Sequence, residues 1–201
     1  MNHAAAPRIN FRSTLGACAA VIGLMSGGHA LASDGTVTIT GLVKNSTCVV
    51  NVASGTTPPA TGNTTSATIS LPTIFWQQIQ ASGSSTGDTA FNISVNSCGN
   101  SVNTMSVTVD SSNTNINASG VITTTIGGAS KALMRLLQSD DATPVVPGTA
   151  MTPINVTTAT PITSGGAAQV LYVQWFNGTG GALTSIAGTA SASLTFSITY
   201  T

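Results

Sequence analysis

Near its end the chain runs Leu194, Phe196, Ile198 and Tyr200 in strict alternation with Thr195, Ser197 and Thr199. Successive side chains of a strand point to opposite faces, so this run has one apolar and one hydroxyl face; a helix would scatter both around its circumference. The same rule orders an early segment, where Val37, Ile39, Gly41 and Val43 share a face against Thr36, Thr38 and Thr40. Further strands are expected at Cys48 to Val52, Ala67 to Leu71, Phe91 to Val95, Met105 to Val109, Val121 to Ile126, Ala132 to Leu137 and Val170 to Phe176. Pro58-Pro59, Gly83 to Gly87, Gly127-Gly128 and Gly178 to Gly181 separate them with turn-forming residues. Many short strands with turn signals between them predict one all-β domain, an antiparallel sandwich. One stretch, Ile74 to Ile79, reads as a short helix. Its Phe75 and Trp76, and Tyr172 and Trp175 on a later strand, are expected to plug the core.

Charge narrows the partners. Five basic and five acidic residues in 201, with no Glu at all, leave no positive footprint for nucleic acid. Ser and Thr exceed a quarter of the chain, while 41% of residues are apolar, enough for one core.

Residues 1–32 read as a secretory signal peptide. Arg8 and Arg12 begin it, an apolar run from Leu15 to Met25 follows, and small residues offer cleavage after Ala30 or Ala32. That run of about 11 residues is short of the roughly 20 a membrane span requires, and no later segment anchors the chain. Leu15-Gly16-Ala17-Cys18 resembles a lipobox, but apolar sequence continues past Cys18, which a lipoprotein leader would not do. Export leaves two cysteines, Cys48 and Cys98, in an oxidising compartment, where an even count implies a disulfide, with two separate buried thiols as the alternative.

The inventory after the leader speaks against catalysis. His3 and His29 both lie within the leader, so no Ser-His-Asp or Cys-His arrangement can be assembled, and zinc loses its commonest ligand. The acids are Asp34, Asp88, Asp110 and the pair Asp140-Asp141; the pair lies in turn composition and reads as a solvated turn, with a weak cation site as the alternative. The Asn-x-Ser/Thr triplets beginning at Asn45, Asn63, Asn92, Asn117, Asn155 and Asn177 are the chance product of a Thr- and Asn-rich chain. Neither a cofactor nor an enzymatic activity is expected.

Taken in order, Gly35-Thr36-Val37 leading to Gly41-Leu42-Val43, Cys48-Val49-Val50, Leu71-Pro72, Phe91-Asn92-Ile93, Cys98, Leu133 to Leu137, Tyr172, Trp175-Phe176 and the closing Gly188 to Tyr200 form a pattern. It resembles the chaperone–usher pilins, the major subunits of type 1 and P pili, over the whole mature chain. The resemblance implies an incomplete immunoglobulin-like sandwich lacking its last strand and completed by donor-strand complementation. It divides the chain into the leader, a donor segment at 33–45 running into the first strand, and a pilin domain at 46–201. Val37, Ile39, Gly41 and Val43 are the expected donor side chains. Gly41 falls where the acceptor's interior leaves no room for a Cβ. Leu194, Phe196, Ile198 and Tyr200 are expected to line the acceptor groove, with the carboxylate of Thr201 gripped by a chaperone. The implied partners are other copies of the chain in a fibre homopolymer, a periplasmic chaperone and an outer-membrane usher. The implied destination is a fimbrium at the cell surface, reached through the periplasm. The stretch before Gly35 is shorter than in many relatives, which leaves open whether the subunit belongs to the shaft. A minor adaptor or tip adhesin, or a secreted carbohydrate-binding sandwich, are the competing readings; a two-domain adhesin needs roughly twice this length.

Overall fold

A computed structural model describes residues 32–43, 48–58, 64–98, 102–126, 129–138, 142–156, 165–184 and 187–201. The leader expected at 1–32, including Cys18, lies almost wholly outside them, as does Asp140-Asp141. The strands are β1 (Ala32–Val43), β2 (Val49–Ser54), β3 (Ser66–Phe75), β4 (Ser85–Cys98), β5 (Thr104–Val109), β6 (Val121–Ile126), β7 (Ala129–Leu137), β8 (Ile154–Asn155), β9 (Gly165–Phe176) and β10 (Gly188–Tyr200). The fold is immunoglobulin-like and all-β. Among the described residues the sole helical piece is a 3-10 turn at Trp76–Ile79. The expected helical stretch is therefore only half right. β3 continues through Phe75, and Phe75 is 50% exposed instead of buried. The pairing with β1 is irregular between Leu71 and Ile74, which shifts the phase of β3 by one residue; Ile74 then takes the inward position and its neighbour Phe75 faces solvent. Trp76 is half-buried against the core.

Hydrogen bonding follows one continuous path, β2-β4-β9-β7-β6-β10-β1-β3, with β5 on β10 and β8 on β5. The path folds back on itself, so β1 faces β9 and β7 across the core, with the backbone of Gly35 against Trp175 and Met134. β10 serves two partners along one edge, pairing β6 at Ala190–Ser191 and β5 from Phe196 to Tyr200. Backbone groups in the gap between them still need partners. Asn113 supplies them by side chain: Nδ2 donates to the Thr195 carbonyl at 2.8 Å, and Oδ1 accepts from the Thr195 N–H at 2.9 Å. Asn115 Nδ2 donates to the Ser193 carbonyl at 2.6 Å.

Alternation places the core. Val107 and Val109 on β5, Leu171, Val173 and Trp175 on β9, and Leu194, Phe196 and Ile198 on β10 are all buried. Tyr172, expected inside, is only half-buried because it stands one residue out of phase with that face. Trp175 is fully enclosed, and its indole N–H donates to the Pro72 carbonyl at 2.9 Å. Cys48 and Cys98 form the expected disulfide, which closes a 50-residue separation at the β2–β4 end of the sheet.

Candidate functional site

The first described strand lies in the groove beside β10. β1 pairs in parallel with β10 through eleven consecutive positions, from Ser33 opposite Gly188 to Val43 opposite Ile198. On its other side it pairs antiparallel with β3, from Ala32 opposite Phe75 to Thr40 opposite Ser66. Val37 is fully buried, Ile39 is 3% exposed, and Thr38 and Thr40 face solvent. The sequence reading of this face therefore holds for Val37, Ile39 and Gly41; Val43 occupies its register position, while its side chain lies outside the described residues.

The walls are apolar. β3 contributes Ile69, Leu71 and Ile74, and β10 contributes Leu194, Phe196 and Ile198, all buried. Tyr200 is half-buried and packs against the same core. Thr201 is exposed; its main-chain oxygen accepts from the N–H groups of Asn103 and Thr104 at 2.7 and 2.9 Å, and its N–H donates to the Thr104 carbonyl at 3.1 Å. The structure thus brings together the predicted donor residues and the predicted groove residues within one chain. The open groove expected beside β10 is not what the structure shows: that sheet position is filled by the chain's own leading strand, which pairs with β10 on one side and β3 on the other.

Two glycines fit that strand to its groove. A Cβ on Gly41 would stand 2.1 Å from the ring of Phe196, the residue opposite it. A Cβ on Gly35 would stand 2.6 Å from Trp175 and 2.7 Å from Met134. Only hydrogen fits at either place. The need at Gly41 is legible in the sequence, since a Gly in phase with Val37 and Ile39 interrupts an apolar face. The need at Gly35 was missed: its partners come from β7 and β9, roughly 100 and 140 residues away. Ser33 was missed as well. It is fully buried and donates its hydroxyl to the Gly188 carbonyl at 2.9 Å.

Outside the groove the polar groups serve the fold. Asn92 is buried and donates to the carbonyls of Gly55 and Thr57 at 3.0 and 3.1 Å. Asn177, also buried, donates to Gln80 and Gly181. Asn117 caps its own turn through the N–H groups of Ser119 and Val121. Asp110 accepts from the Ser112 N–H, and Asp34 accepts from the Thr73 hydroxyl. Arg135 lies 4.3 Å above the Phe176 ring, a cation–π contact. Among the described residues, no three His, Cys, Asp or Glu gather at metal-binding distances, and no helix is long and apolar enough to cross a membrane.

No protein-family model and no curated protein matches the sequence. Among solved structures, an antigen and type I fimbria protein of Burkholderia pseudomallei is similar over 79% of this chain and 92% of that one, at 23% identity and a TM-score of 0.38. A likeness of that size carries no argument about what this chain does.

Proposed function

We propose that this chain is a structural subunit of a surface fimbria, assembled when the β1 arm of one copy fills the groove between β3 and β10 of another. One observation carries the reading. β1 fills an apolar groove beside β10 through two ladders, and its side chains are sized to that groove down to the two glycines. A strand added to a sheet gains affinity from main-chain hydrogen bonds and register from alternate side chains entering pockets. Val37 and Ile39 each contribute roughly 1.5–3 kcal/mol on burial. Filling the groove also removes the open edge of β10, which would otherwise recruit strands indiscriminately. A chaperone that holds the groove in the periplasm, and an usher at the outer membrane, are the assembly partners this reading needs. It needs no enzymatic activity and no cofactor.

In a single copy the arm closes its own groove, so a lone subunit is expected to be a soluble monomer and not an aggregate. Assembly then consists of trading an internal strand for an external one. The test is production of the full chain in a Gram-negative host with a chaperone and an usher, followed by electron microscopy of sheared surface material. Wild-type chains should give filaments whose N-terminal sequence begins between Leu31 and Ser33. A variant lacking residues 32–43 and a Gly41→Asn variant should both reach the periplasm and give none. Filaments of normal length from the variant without its arm would sink the reading.

A further inference from the structure

On β9, Leu171, Val173 and Trp175 face the core, so Tyr172, Gln174 and Phe176 face away from it. Arg135 on β7 lies directly opposite Gln174 and shares that outer face. Its guanidinium rides 4.3 Å above the Phe176 ring, which fixes the plane of the cation. The Nε atom is buried without an acceptor. Among the described residues no hydrogen bond reaches the terminal nitrogens of Arg135 or the amide of Gln174, and Arg135 forms no ion pair with Asp34, Asp88 or Asp110.

A guanidinium stacked on one side, with its outer nitrogens unpaired, presents a fork that matches a carboxylate through two parallel N–H···O bonds. The charge on offer is single. Lys131, the other cation among the described residues, lies opposite the buried Thr124 and so belongs to the other face of the sheet. A polyanion such as nucleic acid would find too few cations here; an isolated carboxylate finds one. Beside the fork, the Gln174 amide can both donate to and accept from hydroxyl groups, and the half-buried ring of Tyr172 offers a flat apolar surface with a polar tip. One carboxylate, several hydroxyls and a C–H-rich ring face come together in a sugar acid.

We propose that Arg135, Gln174 and Tyr172, with Phe176 beneath the cation, bind a carboxylate-bearing sugar of a glycan. The site lies on the side of β9 turned away from β1, so its occupancy is independent of the groove. It rests on the fimbrial reading only for its repetition: a filament displays one site per subunit, which turns weak single-site binding into avid attachment.

The test is an NMR titration of the 15N-labelled full chain, at roughly 20 mM salt to limit screening. Glucuronic acid should shift the backbone amides of Val121, Arg135 and residues 172–176 and the Nε–H signal of Arg135, with a Kd on the order of 1 mM. Glucose and acetate each carry half of that ligand and should bind at least about tenfold more weakly. Arg135→Lys keeps the charge without the fork, and Tyr172→Ala removes the ring; each should weaken glucuronic acid binding about tenfold, with shifts elsewhere in the spectrum unchanged. An equal response to acetate or to glucose, or undiminished binding by Arg135→Lys, overturns the proposal. So does a stronger response to poly-aspartate than to glucuronic acid at equal carboxylate concentration, which would assign the face to an acidic protein. Sheared filaments should be retained on alginate, a polymer of sugar acids, and not on neutral dextran, and Arg135→Lys filaments on neither. Glucuronic acid binding by a chain that forms no filaments upholds the site and counts against the fimbrial reading.

Discussion

At Gly41 a hydrogen atom stands where any other residue would drive a carbon to 2.1 Å from Phe196. Gly41→Ala should destabilise the folded monomer by about 1–3 kcal/mol through overpacking, measured by urea denaturation. In a Phe196→Ala background the same change should cost far less, since the ring it strikes is gone; equal losses in both backgrounds would show that the contact is not the cause. Ile39 makes the opposite case. It is nearly enclosed, and Ile39→Ala should cost about 2–5 kcal/mol. Thr38, its outward neighbour, should tolerate Ala within about 0.5 kcal/mol, although the two residues adjoin in sequence.

Among the elements, β2 and β4 depend on a covalent link and on two buried amides. The Cys48–Cys98 bond closes a loop of 50 residues, which on a chain-entropy account stabilises by roughly 4 kcal/mol. Reduction should lower the denaturation midpoint accordingly, and a midpoint indifferent to reductant would show that the sheet holds this end unaided. Asn92 ties the segment after β2 to the outer face of β4 through two carbonyls, while Asn51 accepts from the Thr64 N–H at 3.2 Å. Asn92→Ala leaves those carbonyls without their donor and should cost about 1–3 kcal/mol. It should also speed proteolysis near residues 55–64, a change visible as early cleavage products.

For the whole molecule, scarcity of charge is the governing property. The outward positions of β1 from Thr36 to Thr40, of β3 from Ser66 to Ser70 and of β10 from Thr189 to Thr199 are all Ser or Thr. Copies can approach on these faces without like-charge repulsion, and strand exchange should be governed by apolar contact. Assembly rates should therefore change less than about threefold between roughly 0.05 and 0.5 M salt, where steered association falls steeply. A steep salt dependence in light scattering would place charged groups at the contact after all.

Sequence alone determined which face of each strand is buried. The period-two rule acts between neighbours in the chain, and Val37, Ile39, Leu194, Phe196 and Ile198 all stand where it puts them. It failed at Phe75, where the strand runs four residues beyond Leu71 and an irregularity at Pro72–Thr73 shifts its phase, turning the ring outward. It could not find Gly35 as a site of close approach, because the atoms that crowd it arrive from two strands far along the chain. It also could not say that the groove beside β10 is occupied by the chain's own arm, nor in which direction. Alternation marks a strand's faces but not its neighbours, and the neighbours are fixed only when the sheet closes around the core.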